Sequence, residues 1–418
     1  MSISRYFTLL LLIVAISTGC NKWLDVQPKT EMPRDIMFST QTGFQDALSG
    51  VYINLISDSL YGRDLSFKFI EHLTSSWDVT SNSVEQKINR FNYQDANVEL
   101  ILKNIFGTQY NTIANINAIL EQIDAKKEVF TTKGMYEMIK GECLALRAFC
   151  HFDLLRMWGP VPSDIKDGNV LPYVKSLSRV KNPHISYEAF KTEVLADLTT
   201  AETLLKEVDP ITKYSLGQLQ NPDNESNEFK PENPYISFRQ FRINYYAIKA
   251  LQARVHLWFG NKQQAYEAAK FVIDAKDKDG TAKFRLGADA DLVKKDYVMS
   301  WEHIWSLYDF KLFQQYTDFF GNGNLKKGSS DAKVRTELYG NTGTDIRETK
   351  MWGLLTLSGG TKCYTIRKYL GSEKPAYIDE DLKRLPMLRA SEMYLIVAEA
   401  GPAGEADAAW ATFRTSRG

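Results

Sequence analysis

The sequence predicts a mainly α protein, with paired helices on one side and an irregular, loop-rich half on the other. Three observations carry this. Apolar residues recur at helical spacing in segments near both ends of the chain. Several of these segments stop at a glycine that lies eleven or twelve residues after a basic residue followed by alanine. Between Gly280 and about Leu385 the periodicity fades and glycines multiply.

Taken in order, Thr40 opens a helix over 44–55, with Phe44, Leu48, Val51 and Leu55 on one stripe. Residues 111–123 repeat the pattern with Ile113, Ile116, Leu120 and Ile123. Residues 135–158 are expected to form the longest helix, and Gly159-Pro160-Val161-Pro162 stops it, because proline lacks the N–H a helix needs. Ser186 is placed to cap a helix over 187–208. Residues 209–236, rich in Pro, Asn, Asp and Ser, read as a long surface loop. Two helices follow, 241–259 and 262–275, joined only by Gly260-Asn261. Short strands are expected at 303–307 and 363–369, and helices again at 388–400 and 405–417.

The glycine-terminated blocks are Leu146-Arg147-Ala148 to Gly159, Ile248-Lys249-Ala250 to Gly260, and Leu388-Arg389-Ala390 to Gly401. Glycine suits a helix end because a left-handed backbone costs it least. In the 247–273 block, Ala253, Gly260 and Ala265 fall at tetratricopeptide spacing, where small residues let two helices close. The usual aromatics of that repeat are missing, so an ordinary antiparallel helix pair fits as well.

The 418 residues suggest two or three domains by length alone. Hydrophobic residues at 44% and charged residues at 24% place the chain among globular proteins. Lys+Arg and Asp+Glu both number 51, which leaves no basic footprint for nucleic acid. Cys143 and Cys150 share a helical segment about 10 Å apart along its axis, too far for a disulfide, and read as small buried residues. At the N-terminus, Arg5 precedes an apolar run over 6–16, of signal-peptide length and too short to span a bilayer. Ser17-Thr18-Gly19-Cys20 then reads as a bacterial lipobox, with cleavage after residue 19 and a lipid on Cys20; an ordinary cleaved signal is the alternative.

No catalytic constellation stands out. The five histidines form no H-E-x-x-H pair, and no G-x-S-x-G elbow occurs. His151 and His256 fall inside helices and read as satisfied core residues. Asp277-Lys278-Asp279-Gly280 lacks the first and last ligands of a calcium loop. No metal or cofactor is expected. A glycosidase carboxylate pair finds no positive support among the acidic residues. A sugar-binding face needs flat aromatics outside the helical stripes, with amides beside them. The candidates are Trp77 beside Asn82, then Tyr316 and Phe319 within a group holding Trp301, Tyr308, Phe320, Asn322 and Asn324, and finally Trp352. Each could equally be core, and Trp305 reads as core.

Several of these stretches, in one order, resemble the SusD/RagB family of Bacteroidetes nutrient-uptake lipoproteins. Cys20-Asn21-Lys22-Trp23-Leu24-Asp25-Val26-Gln27-Pro28 resembles the family's mature start, and Phe38 with Phe44 to Tyr52 its first helix. Arg147-Ala148-Phe149 through Asp153 to Trp158-Gly159-Pro160-Val161-Pro162 is similar to its most recognisable stretch. Ala253 to Leu257 with Gly260-Asn261, Asp345-Ile346-Arg347, Arg367-Lys368-Tyr369, Leu388 to Ala400, and Phe413 to Gly418 follow in family order. Members continue past this last motif, so the final helix pair is expected to be thinly covered here. The resemblance implies tetratricopeptide-like helix pairs beside irregular loops, in one integrated unit with an N-terminal part over 20–225 and a C-terminal part over 226–418. It implies a lipid-anchored place on the outer membrane facing the exterior. It also implies a SusC-type TonB-dependent transporter as partner and an oligosaccharide, or in some relatives a peptide, as ligand. An enzyme is not expected, a surface glycoside hydrolase being the remoter alternative. Arg147 and Asp153 read as structural.

Overall fold

The computed structural model describes residues 33–165, 168–178, 180–357, 359–370 and 383–418. The apolar run, Cys20 and the mature start lie outside them. The helices of eight or more residues are α1 (Gln41–Leu55), α2 (Ala96–Ile123), α3 (Met135–Trp158), α4 (Tyr187–Leu205), α5 (Tyr245–Trp258), α6 (Lys262–Ile273), α7 (Asp331–Tyr339), α8 (Ala390–Ala400) and α9 (Ala403–Thr415). Except for α7, each packs on its predecessor in this series, α8 closing on α6, which gives a row of helix pairs. Among the described residues, strands occur only as two antiparallel pairs. β1 (His303–Tyr308) lies against β4 (Arg384–Arg389), and β2 (Trp352–Thr356) against β3 (Lys362–Ile366). The mainly α architecture with an irregular half is as the sequence predicts.

Local chemistry explains the boundaries. The Thr40 hydroxyl accepts from the Gly43 N–H, and that of Ser186 from the Ala189 N–H, each satisfying a donor at a helix start. The longest helix is α2, with 28 residues against 24 in α3. Its first half carries Asn97, Glu99, Lys103 and Asn104, so the apolar stripe is weak there and only 111–123 showed it. Residues 209–236 are not simply a surface loop. They hold a short helix, Leu216–Gln220, and 3-10 turns, and both Asp209 and Phe229 are buried.

One apolar core runs from Phe38 to Ala409 through all the helix pairs. Cys143 and Cys150 are buried free thiols within it, and Trp305 is fully buried. Charged groups inside the core neutralise one another. Arg239 is fully buried, donating through Nε and Nη2 to Asp209 at 2.9 Å and through Nη1 to Glu142. Arg242 donates to the other Glu142 oxygen, which also accepts from the Tyr52 hydroxyl. Arg147 makes a two-pronged pair with Asp197 at 2.7 and 2.8 Å and also donates to Asn117. Its structural role is therefore plain.

Candidate functional site

The predicted aromatics come together. A short helix, Phe69–Leu73, ends in a turn where Ser75 takes a left-handed backbone, and the chain then presents Trp77. The indole of Trp77 donates to Glu71 at 2.8 Å, which fixes its ring. The next residue, Asp78, accepts from the Gly328 N–H at 2.6 Å and from Lys333 Nζ at 2.7 Å, tying this turn to a loop 250 residues away. Burial raises the Asp78 carboxyl, but Lys333 and the Gly328 N–H outweigh it and hold it below its usual range. A helix over Leu312–Tyr316, ending in Tyr316, runs into a wider π-type turn, Thr317–Gly321, which carries Phe319 and Phe320. Trp352 opens β2, and its indole donates to the Tyr339 hydroxyl at 3.2 Å.

The rings form a chain. Trp77 lies 5.7 Å from Trp352 and 5.8 Å from Phe320, Phe320 lies 5.9 Å from Tyr316, and Phe319 stacks at 5.8 Å on buried Phe67. Such tilted and offset pairs suit the ring quadrupoles. Trp77, Tyr316, Phe319 and Trp352 are all half-buried, with one part in the core and one part at the surface. Asn82 stands apart from the rings. It is an exposed turn residue with φ 63°, and its N–H donates to Gln86. Trp301 carries the Arg285 guanidinium over its face and belongs to no part of the ring chain described. Asn324 spends its amide on the Asp318 carbonyl.

A cavity of about 890 Å³ opens beside this cluster, and sequence reasoning missed it. It lies between the C-terminal ends of α3 and α5, the helix Phe69–Leu73, and β4. Trp158, Trp258, Tyr93 and Tyr369 give it aromatic walls. None of Trp77, Asn82, Tyr316, Phe319 and Trp352 lines it. Glu71 joins the two features, lining the cavity while it holds Trp77. Asp153 also lines it, accepting from the Tyr61 hydroxyl, so this residue is a wall of a cavity as well as a structural partner. Among the described residues no group of three or more His, Cys, Asp or Glu is placed to hold a metal ion. No described helix is long and apolar enough to cross a membrane.

The two histidines buried deepest serve the fold. The His151 Nε2 accepts from the Val174 N–H, which leaves the proton on Nδ1 to donate to the Arg147 carbonyl. His303 is held the other way round, with Nε2 on the Val298 carbonyl and Nδ1 toward the Ser306 hydroxyl. Burial lowers both, His151 to about 3.

Residues 22–215 match the family model described as SusD-like, starch-binding and associating with the outer membrane. Over this stretch the chain is similar to the SusD-like family. The match covers Trp77 and Glu71 and stops before Tyr316, Phe319 and Trp352, so only part of the aromatic cluster lies inside it. A curated SusD-like protein, P25 of Formosa agariphila, is 20% identical over 338 residues, 76% of this chain and 56% of that protein. The chain thus spans little more than half the length of that relative. A SusD superfamily structure from Bacteroides thetaiotaomicron superposes with a TM-score of 0.66 at 18% identity, covering 90% of this chain and 80% of the other. A laminarin-binding SusD-like protein does so with 0.58 at 17% identity, covering 91% and 84%. These structures share the fold of this chain.

Proposed function

We propose that this chain captures an oligosaccharide at the outer face of the outer membrane and passes it to a SusC-type TonB-dependent transporter. In this reading a lipid on Cys20 holds the protein at the membrane, and its N-terminal and C-terminal parts act as one non-catalytic unit. The observation that carries the reading is the convergence of Trp77, Tyr316, Phe319 and Trp352 on one surface-reaching ring cluster. Half-buried rings with fixed indole N–H groups are pre-organised platforms for the apolar face of a pyranose. They lose little freedom on binding. The laminarin-binding description of a neighbour of the same fold points to the same ligand class.

The test is calorimetry on soluble protein beginning at Asn21, titrated with laminarin and malto-oligosaccharides, with Trp77→Ala and Trp352→Ala alongside. Truncating a central aromatic anchor costs more than about 1.4 kcal/mol, or tenfold in affinity. Saturable glycan binding that weakens by that factor in either variant supports the reading. Binding that both variants leave within twofold removes the cluster from the site. A response to peptides with none to glycans transfers the assignment to peptide capture.

A further inference from the structure

The second feature of the surface has its own chemistry. The cavity of about 890 Å³ falls within the range of small-molecule sites. Its polar groups are mostly satisfied from within. The Tyr61 hydroxyl donates to Asp153, and Arg254 donates to both oxygens of Glu392 and to the Met387 carbonyl. Lys368 differs, since among the described residues its ammonium has no hydrogen bond and no ion pair. Its neighbours are the face of Tyr369 at 5.1 Å, the like charge of Arg389 on β4, and Glu71. Glu71 is itself engaged by Trp77. Across the cavity stand Asp153 and Arg156 on α3 and Arg254 on α5. Arg156 spans only 3.3 Å to Asp153 and otherwise lies over the Phe152 and Trp258 rings. Among the described residues the cavity therefore holds one amine without an ion pair or hydrogen bond, set among aromatic walls with the Glu71 carboxylate as its nearest opposite charge.

Its shape continues at both ends. A shallow groove over Glu99 to Thr108 shares Trp158 and Leu102 with it, and another, toward Glu392 and Glu399, shares Arg156, Arg254 and Trp258. That suits a chain of several units rather than one small molecule.

We propose that this cavity is a second saccharide site, separate from the ring cluster, and that it takes an oligosaccharide bearing a carboxylate or sulfate, with Lys368 as partner of the anion. The saccharide nature of the ligand rests on the glycan-capture reading, and its charge rests on Lys368. Burial and the neighbouring Arg389 bring the free amine down to about 8, so a bound anion restores the proton. Affinity is then full near pH 7 and falls about tenfold by pH 9, where the free amine is mostly neutral.

The experiment is calorimetry with tetragalacturonate, a sulfated carrageenan tetrasaccharide and neutral laminaritetraose, between pH 6.5 and 9, on the chain and on Lys368→Gln, Lys368→Arg and Trp77→Ala. The expected result is binding of an acidic probe that Lys368→Gln weakens at least tenfold and Trp77→Ala does not. Which acidic probe binds distinguishes carboxylate from sulfate. Lys368→Arg, charged throughout, should keep the binding and lose the fall at pH 9. Acetylation followed by peptide mapping should show Lys368 shielded by the acidic probe and not by the neutral one, a readout that needs no variant to fold. The proposal is overturned by no binding of either acidic probe, by Lys368→Gln within twofold of the parent, or by an unchanged pH dependence in Lys368→Arg. Laminaritetraose binding that depends on Trp77, with no acidic binding, overturns the second site alone and leaves the glycan-capture reading standing.

Discussion

Replacing Arg239 by methionine keeps much of the side-chain volume and removes the charge. Asp209 then loses two guanidinium bonds and keeps only the backbone N–H groups of Ile211 and Tyr245 at 3.1 and 2.9 Å. Glu142 keeps Arg242 and Tyr52. Both carboxylates stay fully buried. Breaking a buried ion pair from one side costs about 3–5 kcal/mol, because the charge left behind has lost its water and its partner. Taking ~4 kcal/mol, and an unfolding entropy near 2.1 cal/mol/K per residue, about 0.9 kcal/mol/K for a chain this long, the melting temperature falls by ~4–5 °C. Urea unfolding followed by circular dichroism measures the free energy directly. There is also an acid signature. Burial raises the Glu142 carboxyl, but Arg242, Arg239 and the Tyr52 hydroxyl outweigh it, and it ends below its ordinary value. Its folded pKa being depressed, its contribution is complete above pH 4.5 and is lost as pH falls through the folded value. Without Arg239 that loss begins at higher pH. Adding Asp209→Asn should recover part of the stability. A loss under about 1 kcal/mol in Arg239→Met, or a double variant no better than the single, would refute the account.

Two further predictions concern the fold. In α1, a Cβ at Gly43 would stand 1.6 Å from the Met37 carbonyl oxygen, whereas one at Gly50 meets nothing within 4 Å. Gly43→Ala should therefore cost ~1–3 kcal/mol through displaced backbone, and Gly50→Ala should gain about 0.5–1 kcal/mol of helix propensity, both read by urea titration. His151, neutral in the fold with its pKa near 3, must charge on unfolding. Its contribution is complete above pH 6.5 and declines by roughly 1.4 kcal/mol per pH unit below that. His151→Gln should remove that slope between pH 6.5 and 4.5, whatever it does to the absolute stability.

What the sequence disclosed follows from how each feature is encoded. The C-terminal end of α3 was legible because Gly159 and Pro160 act on the backbone of their own neighbours. The Thr40 and Ser186 caps work across three residues. For the aromatics, their place off the helical stripes was legible and their meeting was not. Trp77, Tyr316, Phe319 and Trp352 fall in segments without helical stripes, so their apolar area had to be covered by one another or by a ligand, and here they partly cover one another. The buried charges were hidden. Asp209 and Arg239 flank a stretch whose polar composition reads as surface, and only the 30-residue closure between them removes both from water. The cavity was hidden more deeply still. Asp153 reads in the sequence as a structural motif residue, and its bond from the Tyr61 hydroxyl makes that reading locally right. The space exists because the ends of α3 and α5 do not close against β4, a relation among segments more than a hundred residues apart. Lys368 is the sharpest case. In the sequence it is one basic residue beside another, and only the fold shows that, among the described residues, its ammonium has no ion pair and lies near the charges of Arg389 and Glu71. In the proposed site its partner comes from outside the chain, and nothing in the Arg367-Lys368-Tyr369 motif itself signals that, because the burial and neighbours of Lys368 are set by segments distant in sequence.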